Sequence, residues 1–197
     1  MLVIGITGGI GSGKSAVSEL LVRNGATLID ADKVGHAAYV PHTPAWEEVV
    51  ATFGPTVVGE NEEIDRKALG SIVFSAPEKL AQLNAIMHPK MADMIRDEIT
   101  EYKNQGIEVV ILEAAILIEA NWLPLVDEVW VVIASEDTVV KRVMARNNFP
   151  EEAIRARINS QITNDERIKY ASLVIENDQE LSDLETKVNS IWKEKIR

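Results

Sequence analysis

The chain opens on Leu2-Val3-Ile4-Gly5-Ile6-Thr7-Gly8-Gly9-Ile10-Gly11-Ser12-Gly13-Lys14-Ser15, and a helical pattern carrying Ala16, Val17, Leu20 and Leu21 follows at once. A short apolar run, a glycine-rich turn and a helix start are the context in which GxxxxGK[ST] forms a phosphate cradle. Glycine allows successive backbone N–H groups to turn inward around an anion, where a side chain would block the approach or forbid the dihedrals. The helix start adds a partial positive charge. The expected nucleotide-binding backbone is therefore Gly9, Ile10, Gly11, Ser12, Gly13, Lys14, Ser15 and Ala16. Lys14 is placed to reach the terminal phosphates of ATP, and the Ser15 hydroxyl suits Mg²⁺. A dinucleotide-binding loop is excluded, because no frame supplies GxGxxG: the sixth residue from Gly9 is Lys14, and from Gly11 it is Ala16.

Beyond the loop, short β-branched runs alternate with longer helical patterns. The runs Leu2–Thr7, Ala26–Ile29, Ile107–Leu112, Glu128–Ala134 and Ser172–Ile175 are nearly all apolar, as strands of a parallel sheet covered on both faces should be. The fold class is thus α/β. One interval, 32–106, breaks the alternation with helical segments punctuated by Pro41, Pro44, Pro55, Pro77 and Pro89. It is expected to be a helical insertion into a core made of 1–31 and 107–197. A second irregular stretch, 147–164, precedes the last strand, and its Asn147-Asn148-Phe149-Pro150 opening is a helix stop followed by a proline start.

Composition narrows the function. The 197 residues carry 31 Asp+Glu against 20 Lys+Arg, a formal charge of -11, with 46% apolar residues. That is ample for a core, and an acidic surface argues against nucleic acid or an anionic membrane as partner. With no cysteine, thiolate zinc sites, disulfides and Cys nucleophiles are all excluded, and the three histidines lack ligand-like spacing. No segment approaches the roughly 18 apolar residues of a spanning helix, and the expected location is the cytoplasm.

A triphosphate cradle leaves the acceptor open. Asp30-Ala31-Asp32 follows the second strand, at the sheet edge where substrates of such folds sit. The Asp32 carboxylate is placed either to take the proton of an attacking hydroxyl or to cap the next helix; capping is the stronger reading for Asp30. Asp137 stands four before Lys141 and Glu151 four before Arg155, so those cations have helical partners. Arg142 and Arg146 lie one turn apart with no acid at i±3 or i±4, and Arg157 is likewise without one; in so acidic a chain this points to an anionic ligand. Glu113 ends a buried strand, either as an acid facing Mg²⁺ through water or simply as a carboxylate reaching solvent. For Glu119 a surface helix position competes with a site role, and His88 before Pro89 fits a cap or a join between two helices.

The combination resembles the dephospho-coenzyme A kinase family. The likeness rests on Thr7 to Ser15, Ile29-Asp30-Ala31-Asp32, Asp65-Arg66 through Ile72-Val73-Phe74, Leu83-Asn84 with His88-Pro89, Ile116 to Glu119, and Arg142 with Arg146, Arg157 and Gln161. The resemblance implies a P-loop fold with a five-stranded parallel sheet, a helical substrate domain and a lid, the last matching 147–164. It implies an ATP-dependent kinase acting on the ribose 3′-hydroxyl of dephospho-CoA, with Lys14, Asp32 and Arg142 catalytic, and Arg146 at the nucleotide. Asp32, His88, Glu119 and Arg157 then belong to the substrate side. The chain departs from the family's usual wording at Ala16, at His36 where an Arg is frequent, at Glu113-Ala114-Ala115, and at Arg146-Asn147. The rivals are another small-molecule or nucleoside monophosphate kinase, or a nucleotide-dependent switch; no Asn-Lys-x-Asp guanine reader occurs.

Overall fold

The computed structural model describes residues 1–147 and 149–196. Five strands form one parallel sheet: β1 Leu2–Thr7, β2 Thr27–Asp30, β3 Val109–Glu113, β4 Glu128–Ile133 and β5 Leu173–Glu176. Their order is β2-β3-β1-β4-β5, so the strand that feeds the glycine loop is central. Ile4 sits opposite Ile111 of β3 and Glu128 of β4, and Val131 pairs with Val174. The strands agree with the apolar runs to within one or two residues at each end, where fraying sets the limit. Outside them the interval 32–106 contains one isolated antiparallel bridge, Val58 to Ile64.

Nine α-helices are described: α1 Lys14–Arg23, α2 Ala31–Ala38, α3 Pro44–Phe53, α4 Arg66–Val73, α5 Pro77–Asn104, α6 Glu136–Asn147, α7 Glu151–Asn159, α8 Asn164–Ile168 and α9 Leu181–Lys195. The chain divides into two compact units, 1–29 with 102–197, and Asp30–Glu101. The second unit begins and ends a few residues before the expected insertion limits of 32 and 106, because α5 carries the chain through the second boundary without a break.

In the first unit, apolar residues of β1, β3, β4 and β5 pack against α1 and α9. Ile4, Ile6, Ile111, Trp130 and Ile175 meet Val17, Leu21, Leu184, Val188 and Trp192, all buried. Fully burying side chains of this size is worth about 1.5–3 kcal/mol each, which fixes the strand end from which the loop departs. A smaller cluster joins α6 to α7, with Ile154 seated among Ala134, Val139, Val140 and Val143.

The second unit buries Val34 and Ala38 of α2, Val49 of α3, Leu69 and Val73 of α4, and Leu83, Ile86, Met87, Met91 and Ile95 of α5. The 28-residue α5 runs through Pro89, so His88 neither caps nor joins helices as the sequence suggested. An interior proline costs about 3 kcal/mol, and the apolar face buried on both sides of it outweighs that. Among the described residues no helix is long and apolar enough to cross a membrane.

Candidate active site

The loop after β1 has the form the sequence requires. Gly13 is the N-cap residue of α1 with φ 96°, a left-handed conformation, and a β-carbon there would lie 2.1 Å from Asn177 Nδ2. Gly8 is equally confined, since a β-carbon would stand 2.2 Å from the Val132 carbonyl oxygen. Asn177 Nδ2 donates to the Ser12 carbonyl at 2.8 Å, and Ile10 N–H donates to Gln161 Oε1 at 2.8 Å. The loop is thus anchored from the end of β5 and from the segment after α7. The first turn of α1 holds no acidic residue and its N-cap makes no side-chain hydrogen bond, so its N–H groups face an anion-favouring field. Ser12 Oγ is buried without a hydrogen-bond partner among the described residues.

Lys14 Nζ donates to the carbonyls of Gly8 and Gly9 at 3.0 and 3.1 Å, which curls it over its own loop. Ser15 Oγ donates to Glu113 Oε1 at 2.6 Å. A hydroxyl and a carboxylate, both hard oxygen donors, thus meet where the loop turns into α1. That donor set fits Mg²⁺, which takes one or two protein oxygens and completes its shell with phosphates and water. No group of three or more His, Asp or Glu suited to a metal occurs among the described residues.

The arginines are disposed differently from what spacing suggested. Arg142 leans toward the turn after β5, donating from Nη1 to the Asn177 carbonyl at 2.7 Å and from Nη2 to Asn177 Oδ1 at 3.4 Å and the Gln179 carbonyl at 3.3 Å. Its counter-groups are non-local carbonyl oxygens, invisible to a search for acids one turn away. Arg146 is exposed and donates to Asn147 Oδ1 at 2.8 Å. Arg157 stacks over the Phe149 ring at 4.4 Å, and Asn148, inside the expected lid, lies outside the described residues. Glu151 pairs with Arg155 as expected, but Asp137 also faces Arg155, at 3.7 Å, and not Lys141. Hydrogen bonds donated by Arg155 to Glu151 and Glu136 raise its pKa.

Glu119 is not on a helix. It lies in the turn after β3, its carboxylate 3.8 Å from Nη2 of Arg167. Arg167 and Asn177 escaped the sequence reading. Arg167 was findable by the rule applied to Arg142, since Thr163, Asn164, Tyr170 and Ala171 at i±4 and i±3 include no acid. Asn177 gave no signal beyond ending a strand.

In the helical unit, the cap of α2 is Asp30, whose Oδ1 accepts from Asp32 N at 3.0 Å and Lys33 N at 3.3 Å. Asp32 stands in the first turn of α2 and is not its cap, which leaves its carboxylate outside the capping bonds. His36 Nε2 lies 2.8 Å from Arg66 Nη1. A guanidinium only donates, so the imidazole accepts at Nε2 and carries its proton on Nδ1. Arg66 also sits 5.7 Å from the Tyr39 ring centre, and burial raises the Tyr39 pKa against the opposing Arg66 charge. His88 lies within α5, partly exposed.

Comparison with known proteins gives likenesses over nearly the whole chain. The model of the dephospho-CoA kinase family matches residues 2–183. A dephospho-CoA kinase of Dehalococcoides mccartyi is 41% identical over 196 residues, covering 100% of this chain and 98% of the relative. Among solved structures, a Thermus thermophilus protein superposes with TM-score 0.83 at 34% identity, covering 100% of this chain and 98% of the other. A dephospho-CoA kinase from Campylobacter jejuni gives TM-score 0.74 at 26% identity, with 98% and 96% coverage.

Proposed function

The chain belongs to the dephospho-CoA kinase family, whose reaction is the last step of coenzyme A biosynthesis, and on that premise we propose how its residues divide the work. ATP is the phosphate donor, held by the backbone from Gly9 to Ala16 with Lys14 over the terminal phosphates. The observation that carries this is the loop itself, which combines a left-handed Gly13, a helix start without a side-chain cap and a buried Ser12 hydroxyl without a partner among the described residues, the features of an anion-binding loop. Ser15 and Glu113 would hold Mg²⁺, which supplies neutralisation of phosphate charge when bound. The cytoplasmic setting expected from the sequence is kept as part of this proposal.

The acceptor is the ribose 3′-hydroxyl of dephospho-CoA. Its oxygen forms a bond to the γ-phosphorus while the bond to the β–γ bridging oxygen breaks, and ADP leaves. Asp32 takes the hydroxyl proton; its freedom from the capping bonds of α2 supports this role. Arg142 acts at the transferred phosphoryl and Arg146 at the nucleotide. The segment 147–164, with Arg157, serves as the lid. His88 and Glu119 contribute to acceptor binding, and residues 32–106 form the substrate-binding insertion.

The test is ADP release with dephospho-CoA compared with adenosine, AMP and water, together with location of the new phosphate by NMR. Efficient turnover with dephospho-CoA and a 3′-phosphorylated product are expected, and Lys14→Ala should abolish most of it without unfolding the protein. A higher kcat/KM for AMP or another hydroxyl compound would overturn the acceptor.

A further inference from the structure

Arg167 on α8 is 2% exposed. Nη1 donates to the Ile162 carbonyl at 2.6 Å, but Nε and Nη2 are buried with no hydrogen-bond partner among the described residues. The nearest counter-charge, Glu119 Oε1 at 3.8 Å, is an ion pair beyond hydrogen-bond range. Burial lowers the pKa of Arg167, with Glu119 opposing the shift, yet a guanidinium stays protonated in proteins. A buried cation with two idle donor groups costs free energy in the unliganded fold. Such a group calls for an explanation, and a missing anion is a direct one.

The surroundings say which anion. Arg167 lines a cavity of about 300 Å³ whose wall also includes Gly9, Ile10 and Ser12 of the glycine loop. A β-carbon on Gly9 would lie 3.6 Å from Arg167 Nη1, so the guanidinium is packed directly against the loop. We propose that Arg167 is a nucleotide-contacting residue, its Nε and Nη2 held ready for a phosphate oxygen of ATP. The inference rests on the ATP reading above and adds to the loop a second cation, contributed by α8 and packed beside Gly9.

Calorimetry with a non-hydrolysable ATP analogue and Mg²⁺ tests it, using the full chain as wild type, Arg167→Met and Arg167→Lys. The expected result is affinity at least tenfold weaker in Arg167→Met and intermediate in Arg167→Lys, with dephospho-CoA affinity within twofold of wild type. Unchanged analogue affinity, or equal loss for both ligands, would overturn the proposal and leave Arg167 a structural partner of Glu119. Should the variants fail to fold, the wild-type Arg167 Nε–H resonance replaces them: it is expected to shift as the analogue is added, and a fixed resonance overturns the role. If wild type binds no analogue, the ATP reading falls and this inference with it, whereas normal binding to Arg167→Met removes this inference alone.

Discussion

Asp30 and Asp32 are two residues apart and do different work. Asp30 spends its carboxylate on two backbone N–H groups at the start of α2, so Asp30→Ala is expected to cost about 0.5–2 kcal/mol of stability. Asp32→Asn leaves that cap in place and loses only a first-turn charge worth roughly 0.3–1 kcal/mol. What it removes is the acceptor for the substrate proton, an effect of about 10²–10⁴-fold in kcat. Thermal melting and steady-state kinetics on both variants separate the roles; a fully active Asp32→Asn protein would reject the proton-acceptor assignment. The pair also shows why local sequence could not sort them, since either aspartate satisfies a cap by type and the backbone geometry selects one.

Helix α6 is tied to the turn after β5 at two points. Ser135, just before it, donates its backbone N–H to Asp178 Oδ1 at 2.8 Å, and Arg142, within it, bonds the Asn177 and Gln179 carbonyls. Asn177 in turn holds Ser12 of the glycine loop. Relief of a like-charge pair, the expectation from spacing alone, would make Arg142→Ala neutral or stabilising; the anchored guanidinium reverses the sign. Removing it is expected to cost about 1.5–3 kcal/mol, the range for hydrogen bonds to a charged group, and to slow phosphoryl transfer as well. Chemical denaturation measures the first and single-turnover kinetics the second.

The same tie gives a pH dependence. The Ser135 hydroxyl, then its backbone N–H, lower the Asp178 pKa, with a smaller contribution from Arg142. A folded pKa below the unfolded one, about 3.9 for aspartate, means the unfolded chain binds the proton first as pH falls. The stabilisation is complete above that value and is lost as pH drops through the folded pKa. Melting temperatures recorded between pH 6 and pH 3 should therefore fall less steeply on the acid limb for Asp178→Asn than for wild type; parallel curves would show that Asp178 is not responsible.

For the molecule as a whole, the proposed reaction requires the acceptor to drive its own enclosure. A kinase that holds a hydroxyl near a γ-phosphate must exclude water, and binding energy from remote parts of the acceptor can be used for that. Acceptors lacking the pantetheine arm are accordingly expected to lose kcat as well as affinity, with the ATPase rate in water alone slower still. A truncated acceptor that changes KM only, at constant kcat, would show that the arm contributes uniform binding and nothing to closure.

The α/β class, the five strands and the glycine loop opening a helix were legible along the chain because they depend on near-neighbour physics. Apolar runs of strand length, glycine where φ is positive, and a lysine and serine opening a helix are all local patterns. The change of period over 32–106, where strand runs give way to helical segments, was visible for the same reason. What sequence could not supply were partners brought together from far along the chain: Ser15 with Glu113, Asn177 with Ser12, Gln161 with Ile10, Glu119 with Arg167. The same limit hid the acceptors of Arg142, which lie 35 and 37 residues away, and the persistence of α5 through Pro89, where burial on both sides exceeds one lost hydrogen bond. Those contacts depend on how the strands are ordered in the sheet and on which residues their ends bring within about 3 Å, a range set by hydrogen-bond geometry.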